Sequence, residues 1–100
     1  MDEQARVAAF LDEENLHAPP ANRVLDLASE VGELAKNVNE STDYGAGDGA
    51  DVDRDELGDA LFCLLALADE LDYDAGAALD EALAKYEERI ADSGSAGSGE

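Results

Sequence analysis

Basic residues are scarce in this chain. Only 6 Lys+Arg stand against 26 Asp+Glu in 100 residues, for a formal charge of −20. Nucleic acid is excluded as a partner on that count, because its binding draws most of its affinity from cations that neutralise phosphates. Long apolar runs are missing as well: the longest, Ala60 to Ala68, covers nine residues. A membrane-spanning helix needs about 20, so no membrane partner is expected. The opening MDEQAR is acidic where a secretory signal is basic. A single cysteine, Cys63, allows no internal disulfide, and a cytoplasmic location is the resulting expectation. Val, Ile, Tyr and Phe are few beside Ala and Leu, which argues for an all-α chain.

What is present suffices for a fold. Strongly charged chains with few aromatics are usually disordered, but 45% hydrophobic residues can bury enough surface to order this one. An acidic surface of this density repels itself in dilute buffer and is tolerated at molar salt, where the Debye length falls to about 3 Å. We read the charge as halophilic adaptation. The other reading is an acidic protein that mimics nucleic acid or solubilises a partner.

The apolar spacing predicts four helices. Val7, Phe10 and Leu11 mark the first, which the Ala18-Pro19-Pro20 segment ends near Leu16. Val24, Leu27, Val31, Leu34 and Val38 form the stripe of a second, from Ala21 to about Asn39. Residues 41–51, with Gly45, Gly47 and Gly49, read as a flexible loop. Asp53 and Glu56 then suggest a capping box for a third helix reaching Leu71, whose centre is apolar on every side. Asp74 is placed to cap a fourth, with Ala75, Ala78, Leu79, Ala82, Leu83, Tyr86 and Ile90 on one face. Residues 1–92 form a single helical domain on this reading, and 93–100 a disordered Gly/Ser tail. A third helix apolar all round needs more cover than three neighbours supply, so a homo-oligomer, a dimer or tetramer joined through its helices, is expected.

With 26 carboxylates, acidic spacings arise by chance, and the informative ones lie beside apolar seams. Glu30 and Glu33, with Asn37, flank the stripe of the second helix. Glu56, Asp59 and Cys63 flank that of the third. Packed together, two such helices gather four acids that like-charge repulsion keeps apart unless a cation joins them. An oxygen-only set suits Mg²⁺ or Mn²⁺. The plainer reading is a helix cap and a solvated surface. Gly32 and Gly58 sit inside the two pairs in mid-helix, where glycine costs about 1 kcal/mol against alanine and implies close packing against another helix. Other motifs fail. The Asp51-x-Asp53-x-Asp55 run lacks the glycine and final glutamate of a calcium loop. The glycine-rich stretch from Gly45 follows no strand and is acidic. His17 is an exposed loop residue, and Cys63 reads as a small buried thiol.

The segments SEVGELAKNV and DELGDALFCLLALADEL resemble the MazG-type nucleotide pyrophosphohydrolases, all-α enzymes marked by Glu-x-x-Glu, a spacer and Glu-x-x-Asp. Here these are Glu30/Glu33 and Glu56/Asp59, and Val31-Gly32 and Leu57-Gly58 match as well. The resemblance implies a four-helix, bundle-like domain. Its expected activity is metal-dependent cleavage of a nucleoside triphosphate to monophosphate and pyrophosphate, with Glu30, Glu33, Glu56 and Asp59 both catalytic and ligating Mg²⁺ or Mn²⁺. Lys36, Asn37, Lys85 and Arg89 are the expected substrate-binding residues, although Lys36 can equally pair with Glu40. Ser29 stands where many members carry another glutamate. Two alternatives remain at this level: phosphoribosyl-ATP pyrophosphohydrolase, with a related carboxylate site, and a non-catalytic acidic helical interaction module.

Overall fold

The computed structural model of the chain describes residues 2–42 and 51–93. They form four helices, α1 (Asp2–Glu13), α2 (Pro20–Ser41), α3 (Arg54–Glu70) and α4 (Ala75–Ser93), and no strand occurs among them. The all-α expectation is met. Most of the Gly-rich loop and residues 94–100 lie outside the described residues, and Ser93 is the last residue of α4, its hydroxyl bonded to the Arg89 carbonyl at 2.8 Å.

The helix ends show how local sequence sets the boundaries. α1 stops at Glu13 because Asn15 takes a left-handed conformation, φ 55°. The Leu16 N–H then reaches the Leu11 carbonyl and the Asn15 N–H that of Asp12, which is a Schellman closure. α3 closes in the same way. Asp72 has φ 59°, with Tyr73 N–H bonded to the Ala68 carbonyl at 2.9 Å and Asp72 N–H to that of Asp69 at 3.0 Å. Neither position is glycine, and Asn and Asp are the non-glycine residues that tolerate this conformation best. Pro20 opens α2, where its missing N–H costs nothing. Asp74 caps α4 as expected, its Oδ1 accepting from the N–H of Gly76 at 2.8 Å and of Ala77 at 3.2 Å.

The capping box at the start of α3 does not form. Asp53 occupies the N-cap position, but its side chain makes no cap hydrogen bond. Its own N–H instead donates to Asn37 Oδ1 at 3.0 Å, tying the start of α3 to the last turns of α2. α2 and α3 therefore run antiparallel, and α1 packs along another flank of α3. Edge-to-face contact between Phe10 and Phe62, centroids 6.0 Å apart, joins α1 to α3. Gln4 adds a second tie by donating to the Tyr73 carbonyl and accepting from the Ala75 N–H, both at 2.7 Å.

The core of one chain is small. Leu11, Cys63, Leu65 and Ala66 are the buried apolar residues among the described ones, and none of α4 is buried. Within one chain α3 is only partly covered. Leu57, Leu61 and Leu64 stay exposed, at 60%, 47% and 49%, because α1 and α2 cover only two of its faces. The mid-helix glycines differ from expectation too: a Cβ added at Gly32 or Gly58 would meet nothing within 4 Å, so no helix of the same chain approaches them closely.

Candidate active site

Antiparallel pairing of α2 and α3 sets Glu30 opposite Asp59 and Glu56. One carboxylate oxygen from each of the three lies within 4.8 Å of the other two. Spacing explains the convergence, since Glu56 and Asp59 are three residues apart and share a face of α3. Glu33, on the next turn of α2, is exposed and lies outside this group of three. Its charge still reaches Glu56. The Glu56 carboxyl is held above its ordinary value first by desolvation, then by the negative charges of Asp55, Asp59, Glu33 and Glu30.

The donor set can be tested against a cation directly. Oxygens bound at about 2.1–2.5 Å on opposite sides of one hard divalent ion stand at most about 4–5 Å apart, so three oxygens within 4.8 Å of one another are close enough to share one ion. Among the described residues, no lysine or arginine forms an ion pair with any of them. A group made only of oxygen donors, without a protein cation and with the Glu56 carboxyl raised by desolvation and by its acidic neighbours, fits a divalent metal.

Comparison with known families decides what the seam belongs to. The model of the MazG nucleotide pyrophosphohydrolase domain matches residues 19–92. The chain belongs to this family. No curated protein and no solved structure matches it. The MazG match takes in α2 and α3 whole, hence all four motif acids, and leaves α1 outside.

The other residues expected at the MazG site are dispersed. Asn37 flanks the seam, and its Oδ1 is engaged by the Asp53 N–H. Lys36 is exposed and lies 4.0 Å from Glu40, the helix pair anticipated for it. Lys85 and Arg89 stand on α4. The Lys85 ammonium lies 5.3 Å from the centre of the Tyr86 ring, and Arg89 Nη1 is buried with no hydrogen-bond partner. Cys63 is buried, and burial pushes its thiol above the ordinary range, with Glu30 and Asp26 adding to the effect. It is a neutral core thiol, as read from the sequence.

Two features escaped the sequence reading. A recess of about 310 Å³ adjoins the acids, lined by Asp26, Ser29, Glu30, Asp59, Phe62 and Cys63. Helical spacing is the signal that could have found it: Asp26 is one turn before Glu30, and Phe62 one turn after Asp59. The second is a clasp around His17. Its Nδ1 meets Glu70 Oε1 and its Nε2 meets Asp12 Oδ1, both at 2.5 Å, while Glu70 Oε2 accepts from the Ala18 N–H at 2.6 Å. His17 is exposed, as expected, yet it joins the end of α1 to the end of α3. Its pKa is raised, first by the hydrogen bond to Asp12 and then by that to Glu70, and Glu70 is lowered chiefly by His17. Arg23, only 7% exposed, lies beneath, donating to the Leu16 carbonyl and standing 3.9 Å from Asp26.

Proposed function

We propose that this MazG domain is a divalent-metal-dependent nucleoside triphosphate pyrophosphohydrolase that releases monophosphate and pyrophosphate. The observation that carries the reading is the convergence of Glu30, Glu56 and Asp59 across the α2–α3 seam. Glu33, close enough for its charge to act on Glu56, completes the set. These four acids would hold Mg²⁺, or Mn²⁺ in its place. When bound, the cation supplies Lewis acidity and neutralises the polyphosphate. A chain of charge −20 otherwise repels such a substrate.

The protein's own part is positioning. The acids fix where the triphosphate can sit, and one carboxylate orients the attacking water and accepts its proton. Water adds across the α–β anhydride: one new phosphorus–oxygen bond forms, the bridging bond breaks, and the fragments leave as monophosphate and pyrophosphate. Lys36 and Asn37, one turn beyond Glu33, are assigned to the phosphates at that end of the seam. The assignment extends to Lys85 and Arg89 on resemblance alone. A second copy of the chain is proposed to cover the exposed leucines of α3 and the apolar face of α4, giving a homo-oligomer. The dense acidic surface is assigned to function at high salt.

Glu30→Gln, Glu33→Gln, Glu56→Gln and Asp59→Asn each keep shape and remove a ligand charge. Each should lower turnover by about 10²-fold or more, while Glu13→Gln, at the exposed end of α1, should leave it near normal. Normal turnover in all four site variants would return the acids to the surface and leave an interaction module.

A further inference from the structure

The recess between α2 and α3 opens directly beside the converging carboxylates, and two of its six lining residues, Glu30 and Asp59, belong to that group. A molecule whose phosphates are held at the acids therefore brings its adjoining atoms to the mouth of the recess. Its volume, about 310 Å³, is at the small end of the range for ligand sites. The walls do not suit more phosphate, because no lysine or arginine lines them. Beyond Glu30 and Asp59 they offer an aromatic ring, a thiol, a hydroxyl and the carboxylate of Asp26. Phe62 is braced from behind by Phe10, whose ring meets it edge-to-face at 83°. α1 thus fixes a wall of the recess even though it lies outside the family match.

Polarity inside the recess is one-sided. Asp26 is exposed, and its nearest cation, Arg23 Nη1, is 3.9 Å away, too far for a hydrogen bond. An ionised carboxylate only accepts. Facing an amino group it gains a charge-assisted hydrogen bond, whereas facing a carbonyl oxygen it sets two acceptors together with nothing between them. Ser29 can donate or accept and discriminates little, and an aromatic face such as that of Phe62 is tolerant of base identity.

Resting on the hydrolase reading above, we infer that this recess receives the base of the nucleotide and that Asp26 selects bases carrying an exocyclic amine over those presenting a carbonyl oxygen in its place. CTP against UTP, and ATP against ITP, differ at that group, so each pair isolates the choice. The Phe62 ring supplies an apolar wall for any base.

The test is kcat/KM for these four triphosphates with Mg²⁺, measured on the full chain and on Asp26→Asn. Asparagine offers both a donor and an acceptor on an exposed side chain, so folding is retained. The parent should favour the amine-bearing member of each pair by about 10-fold or more, the scale of one charge-assisted hydrogen bond. Asp26→Asn should bring both ratios near one. Phe62→Leu should raise KM for all four alike without changing the ratios. Parent ratios of one or below, ratios unchanged in Asp26→Asn, or an unchanged KM in Phe62→Leu would overturn the recess as the base site while leaving the hydrolase reading intact. If the parent cleaves none of the four, the hydrolase reading itself fails, and this assignment with it.

Discussion

Stripping divalent cations should lower the melting temperature of the folded chain by an amount the acidic seam sets. The three oxygens that converge within 4.8 Å come from two helices, so the group exists only when α2 and α3 are paired. A cation that binds this group and not the unfolded chain stabilises by RT ln(1 + [L]/Kd), about 2.7 kcal/mol at a hundredfold excess over Kd. At about 4–8 °C per kcal/mol for a domain of this size, saturating Mg²⁺ should raise the melting temperature by about 10–20 °C. Glu56→Gln separates this effect from general screening. Its carboxyl is raised by desolvation and by four neighbouring acids, so neutralising it relieves the metal-free protein. The variant should melt no lower than the parent in EDTA and should lose most of the response to Mg²⁺. Circular dichroism melts in molar KCl, with EDTA or millimolar MgCl₂, would measure both, because screening by the monovalent salt is then saturated. An equal Mg²⁺ response in parent and Glu56→Gln, or none in the parent, would refute the reasoning.

Three further outcomes follow from the same geometry. His17, raised above 6.5, contributes stability that is full below pH 6.5 and is lost as pH rises through its folded value. Glu70, lowered from 4.5, contributes stability present above pH 4.5 and lost as pH falls through its folded value. The difference in melting temperature between parent and His17→Gln should therefore be greatest between pH 4.5 and 6.5 and shrink above; a difference that grows toward pH 8 would contradict the clasp. Melting temperature should also rise steeply from dilute to molar KCl if the charge of −20 is salt adaptation, and indifference to salt would sink that idea. Light scattering in molar KCl should give a dimer or larger, and Leu83→Asp, at a half-exposed α4 position, should dissociate it without unfolding α1–α3; a monomer mass for the parent would contradict the proposed cover.

The helices were legible because their apolar stripes are regular and because Pro19-Pro20 and Asp74 act locally at their ends, whereas the left-handed Asn15 and Asp72 that close α1 and α3 were not read. Convergence of Glu30 with Glu56 and Asp59 was readable once two seams were assumed to face each other, since helical periodicity alone puts each acid at an edge. That Glu33 stands apart from the tight group was not, because it depends on how far along α2 the two helices meet. The His17 clasp lay beyond the sequence for a different reason: 53 positions separate His17 from Glu70, and nothing local links them. The Glu70 side chain is only 8% exposed. The Asp53–Glu56 box failed for a related cause, since Asn37 on another helix takes the Asp53 N–H. Apolar residues on every face of α3 say that cover is needed, and within one chain Leu57, Leu61 and Leu64 stay exposed.

The central claim is tested most directly by identifying the products formed from a nucleoside triphosphate by the purified chain with Mg²⁺ and, in parallel, with EDTA. Phosphorus NMR of the reaction should show monophosphate and pyrophosphate appearing in equal amounts with Mg²⁺ and nothing with EDTA. Diphosphate and orthophosphate, or turnover that persists in EDTA, would contradict it.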